Sequence, residues 1–195
     1  MRVTTDQDRT DGPGSGDDAG PGWLLLIYRV PPEPTRLRST VWRRIKSLGA
    51  IYLQNSVAAL PASTANERAL RKLRREITDM SGTAVLMSCS VLAGEAEVHA
   101  MFQAARNDEY EEIVDKCEDF LGQVQKEYDE NHFTYAELEE NEVDLVKLRT
   151  WFAKIVERDA FGASGRTACE QLLEKCEQSL EAYAARVYAE EAEGE

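Results

Sequence analysis

Between residues 23 and 92 the spacing of apolar positions shifts repeatedly, and each shift marks an element. WLLLIY, starting at Trp23, is a continuous apolar run of strand length, so a strand is expected over 23–30 in the middle of a sheet. Pro31, Pro32 and Pro34 end it, because proline lacks the donor that ladder pairing needs. A helix follows over about 35–48, where Leu37, Val41, Ile45 and Leu48 share one face and Trp42 flanks it. Gly49 stands just past its end, the position that often requires positive φ. Residues 51–53 and 57–60 read as two short strands joined by a tight turn, closed by Pro61. A second helix opens near Ser63 and Thr64, with capping-box spacing from Thr64 to Glu67, and buries Ala69, Leu70, Leu73, Ile77 and Met80. Ser81-Gly82 stops it, and 83–91 reads as a fourth strand. The order βαββαβ predicts an α+β protein with a ferredoxin-like domain, both helices on one face of a four-stranded antiparallel sheet.

Beyond residue 92 the pattern becomes helical. Residues 95–106 fit a strand or a helix equally well. From Asn107 a seam at 3–4 residue spacing runs through Tyr110, Ile113, Cys117, Phe120, Val124 and Tyr128 until Asn131-His132-Phe133-Thr134 interrupts it. Leu138, Leu145, Leu148, Phe152 and Ile155 form a second seam, and Cys169, Leu172, Cys176, Leu180, Tyr183 and Val187 a third. Short connections between such helices favour antiparallel packing, as an acidic three-helix bundle or a hairpin with a long return. The expected division is a disordered leader at 1–22, a basic sheet domain at 23–92, a connector at 93–106, acidic helices at 107–190 and an acidic tail at 191–195.

Charge alters this picture. The formal net charge of −13 would argue against a polyanion partner, but it is unevenly distributed. Residues 1–22 carry −3, residues 23–80 carry +7, and residues 81–195 carry −17. The basic segment concentrates its cations on the solvent sides of the two early helices: Arg36, Arg38, Arg43, Arg44 and Lys46 on the first, Arg71, Lys72, Arg74 and Arg75 on the second. Such rows neutralise phosphates, and arginine can hold a phosphate bidentately. Three readings stay open: contact with nucleic acid, docking against the chain's own acidic helices, or plain solvation.

The remaining chemistry is sparse. Cys89, Cys117, Cys169 and Cys176 include no CxxC or Cys/His cluster, so they read as reduced thiols of a cytoplasmic protein, without structural zinc. Cys169 and Cys176 share a helix face, with about 10 Å of rise between them. His99 and His132 have no partner at ligand spacing, and the acidic run from Glu137 to Asp144 lacks the central glycine of a calcium loop. A metal-dependent nuclease would want a carboxylate at the end of the first strand, where Tyr28-Arg29-Val30 stands. No apolar run approaches the ~20 residues that span a bilayer. A non-catalytic protein without cofactor, metal or membrane partner is expected.

WRRIKSLGAIYLQNSVAALP, with Trp42-Arg43, Leu48-Gly49-Ala50 and Leu60-Pro61, resembles the N-terminal domain of the chromate-resistance regulator family ChrB. The stretch of residues 133–162, FTYAELEENEVDLVKLRTWFAKIVERDAFG, resembles the helical region that follows in that family. The resemblance spans roughly residues 23–190 and implies a transcriptional regulator with promoter DNA as target and chromate as signal. Family members of full length continue into a C-terminal domain credited with sensing the oxyanion. Its absence here implies a stand-alone relative or a separate sensor chain. A homodimer is expected if the operator is palindromic.

Overall fold

The computed structural model describes residues 22–194. The predicted leader therefore lies outside the description, apart from Gly22. The elements run β1 (Trp23–Arg29), α1 (Arg36–Ser47), β2 (Ile51–Gln54), β3 (Val57–Pro61), α2 (Thr64–Asp79), β4 (Thr83–Cys89), α3 (Glu95–Asp129), α4 (Tyr135–Arg158) and α5 (Gly165–Gly194). The protein is mixed α and β, with one antiparallel four-stranded sheet in the order β2-β3-β1-β4.

Alternation along β1 divides its side chains between two layers. Leu24 and Leu26 are buried in one core with Val41 and Ile45 of α1 and Leu70, Leu73 and Ile77 of α2. Burying each such side chain stabilises the fold by about 1.5–3 kcal/mol. Trp23 points to the opposite layer, where its ring meets His99, Phe102 and Phe161 at centroid distances of 5.7, 5.2 and 5.7 Å. Residues 95–106, ambiguous in sequence, are thus the first turns of α3, and they cover the Trp23 end of the sheet. The rest of that face, carrying Ile27, Val85 and Met87, stays exposed.

Helix ends follow local chemistry. Gly49 takes φ +75° after α1, and Gly49 N–H and Ala50 N–H donate to the carbonyls of Lys46 and Ile45. At α2 the cap lies one residue earlier than the expected capping box. Ser63 is extended, and its hydroxyl accepts the Asn66 N–H at 3.1 Å. Glu67 is then one position too far along to reach back to the cap, and it binds Arg71 instead, with Nε donating at 2.8 Å. Ser63→Ala is expected to cost about 1 kcal/mol in a urea melt, and Thr64→Ala clearly less.

α3, α4 and α5 pack mutually as a three-helix bundle, the first of the two arrangements expected. The 35 residues of α3 reach ~50 Å, long enough to serve both the sheet and the bundle. Cys117, Cys169 and Cys176 are free thiols, fully buried in the seam. Burial holds the Cys169 thiol up at about 12. Cys176, pushed up by its hydrogen bond to Cys117 and then by burial, also stays protonated.

Candidate nucleic-acid interface

α1 and α2 lie side by side over the sheet, so their apolar stripes face inward and their basic residues outward. All nine basic candidates are exposed. They do not make one flat patch. Arg44 and Lys72 flank the groove between the helices, where Arg44 Nε lies 3.8 Å from Glu76. Arg71, Arg74 and Arg75 line a cleft of about 590 Å³ between α2 and β4, with Glu67, Met87 and Ser88. Arg74 Nε donates to the Ala84 carbonyl at 3.1 Å, so this side chain lies across the edge strand. Arg38 stands beside Tyr28, Trp42 and Tyr52 at the hairpin side. Arg43 and Lys46 face the bundle across a groove that also contains Glu112, Trp151 and Arg158. Arg36 opens α1.

Pairing sorts these cations further. Arg44 and Arg71 are partly neutralised by Glu76 and Glu67. The other seven form no ion pair among the described residues, and none of the nine pairs with an acid of α3, α4 or α5. Lys46 sits 5.6 Å from the Trp42 ring centre, and Arg43 Nε donates to the Ser39 carbonyl at 3.3 Å. Both contacts hold the side chain along its own helix and leave its charge toward solvent. Arg29 and Arg68 are also exposed on this part of the surface. Arg29 ends a strand and belongs to no helical row, so the helical pattern of the sequence does not single it out.

The orientation of α1 is fixed from below by buried charges. Arg106 on α3, 4 % exposed, places Nε 3.1 Å from Glu109 Oε2, and its Nη1 donates to the Gly49 carbonyl at 3.2 Å. Arg158 at the end of α4 binds Glu109 Oε1 through Nη2 at 3.0 Å and reaches the Ser47 carbonyl through Nη1 at 3.4 Å. Two guanidinium groups therefore meet the C-terminal end of α1, where the helix dipole is negative. Burial lowers the Arg106 pKa and Glu109 opposes that shift, so the side chain stays cationic. A Cβ on Gly49 would lie 2.5 Å from Arg106 Nη1 and 2.7 Å from Arg158 Cδ. Gly49 is thus required twice, for its φ and for this close approach.

On the hairpin side the hydroxyls of Tyr28 and Tyr52 lie 2.8 Å apart, and burial together with that contact raises the Tyr52 pKa. The two phenols offer hydrogen bonds beside Arg38.

This arrangement defines a class: a sheet domain with two exposed basic helices, locked to an acidic helical bundle. The family model described as "Protein ChrB, N-terminal" matches residues 38–194, and the chain belongs to that family. It is 32 % identical over 92 residues to Protein ChrB of Cupriavidus metallidurans, a match covering 46 % of this chain and 28 % of that protein. No helix among the described residues is long and apolar enough to cross a membrane.

Proposed function

We propose that the protein is a non-catalytic, DNA-binding transcriptional regulator linked to chromate resistance, acting in the cytoplasm. The observation that carries this reading is the set of nine exposed cations on α1 and α2, none paired with the acidic bundle among the described residues. Seven of the nine form no ion pair among the described residues and can exchange counterions for phosphates, a sequence-independent source of affinity. The strand order β2-β3-β1-β4 in a βαββαβ chain supports a ferredoxin-like reading of the sheet. In this reading the acidic bundle keeps its surface for a second copy of the chain or for a separate sensor chain.

Anisotropy titrations of promoter DNA at several salt concentrations test the proposal. Affinity is expected to fall linearly with salt on logarithmic axes, by about 0.9 per phosphate contacted. Binding indifferent to salt, or absent at low salt, would overturn it.

A second reading rests on the groove shared by Arg43, Lys46 and Glu112. There α1 would serve as a protein-docking face, against the chain's own acidic helices or a partner. It predicts weak DNA binding that Glu112→Lys leaves unchanged, whereas the first reading predicts that this added cation beside α1 strengthens DNA binding.

A further inference from the structure

The corner between α3 and α4 brings together three side chains that the linear sequence separates. Glu127 comes from the last turn of α3, His132 from the loop and Glu137 from the first turn of α4, and one ligating atom of each lies within 4.8 Å of the others. None of these spacings repeats a helical turn, so sequence periodicity could not group them. The end of α3 does it. Asn131 takes φ +49°, and the N–H groups of Asn131 and His132 donate back to the carbonyls of Tyr128 and Glu127. The reversal sets His132 over Glu127.

Further hydrogen bonds hold the Glu127 carboxylate and the backbone of the other two. The Glu127 carboxylate, 3 % exposed, accepts from Gln123 Nε2 at 2.7 Å through Oε1, and its Oε2 lies 2.8 Å from His132 Nδ1. The His132 carbonyl accepts the Tyr183 hydroxyl at 2.7 Å. Glu137 N–H donates to Thr134 Oγ1 at 3.3 Å, and the Glu137 carbonyl accepts Asn141 Nδ2 at 2.8 Å. A partner such as Gln123 on the Glu127 carboxylate is of the kind that orients ligands in metal sites, and the backbone bonds fix the loop and helix start that carry the other two. The charge is unbalanced as well: two carboxylates converge, one of them buried, and the imidazole is the sole group among the three that can carry a positive charge. Nearby Arg186 is engaged elsewhere, over the Phe133 ring and against Glu190.

We propose that Glu127, His132 and Glu137 bind a divalent first-row transition-metal ion, with zinc the natural probe. One imidazole and two carboxylates suit such an ion, and the imidazole argues against magnesium and calcium. Half-exposed His132 leaves the site open to solvent, so water completes the coordination. The ion takes the place of the hydrogen bond between His132 and Glu127, and it ties α3 to α4 across their loop.

Zinc titration of the chelator-treated full chain by calorimetry, with a parallel thermal melt, tests this. One zinc per chain and a raised melting temperature are expected. His132→Gln and Glu137→Gln, both away from the core, should each weaken binding at least about tenfold with an unchanged far-UV spectrum. Cys89→Ser should leave binding unchanged. Cobalt in place of zinc should give d–d bands without a thiolate charge-transfer band. Absence of one-to-one binding, binding unmoved by both variants, or a thiolate band would each overturn the site.

Discussion

Glu109→Ala is expected to destabilise the protein by about 3–5 kcal/mol, seen as a lower urea midpoint. The side chain holds Arg106 and Arg158 at once, at 3.1 and 3.0 Å. Removing it leaves the Arg106 guanidinium buried without its ion-pair partner. Arg158, 20 % exposed along its side chain, can turn toward water, so most of the loss falls on Arg106. The large effect comes from stranding a charge rather than from the net worth of the pair, and a double variant separates the two. Arg106→Met with Glu109→Leu removes both charges and should recover most of the loss, because an apolar replacement of a buried pair is often nearly neutral. A single-variant loss below 1 kcal/mol, or a double variant worse than the single, would refute this account of the junction.

The same junction marks where the sequence stopped being legible. β1, α1, the hairpin, α2 and β4 could be read to within one or two residues, because each depends on local rules: apolar period, proline stops and Gly49 at a helix end. The three bundle helices and the break at residues 131–134 followed from the same periodicity. What could not be read was long-range. Arg106 contacts Gly49 across 57 residues, and Arg158 contacts Ser47 across 111. The first turns of α3 were ambiguous because Phe102 answers to Trp23 of a distant strand rather than to a neighbour on its own helix. The capping box failed by one residue, since Ser63 and Thr64 are both good caps and only the extended backbone of Ser63 decides between them. The basic rows of the candidate interface were visible as helical faces. Their division into pairs, grooves and an edge-strand cover was not, because that depends on which acids the fold sets opposite them.

That division selects the variant that best tests DNA binding. Reversing Arg44 or Arg71 would set a new carboxylate against Glu76 or Glu67 and mix a stability effect into the result. Arg38, Arg43, Lys72 and Arg75 are exposed and form no ion pair among the described residues, so replacing all four with Glu leaves the core untouched. Surface changes of this kind usually stay within about 0.5 kcal/mol each. The quadruple variant is expected to lose at least about 100-fold in DNA affinity at moderate salt, and its salt slope should be shallower by about 0.9 for each of the four that contacts phosphate. A charge-conserving variant with lysine at the three arginine positions should keep the slope and lose affinity only where bidentate contact matters. If the reversed variant binds DNA as the parent does, α1 and α2 do not grip phosphate. If binding falls while the slope stays fixed, the four residues act through the fold rather than through counterion release.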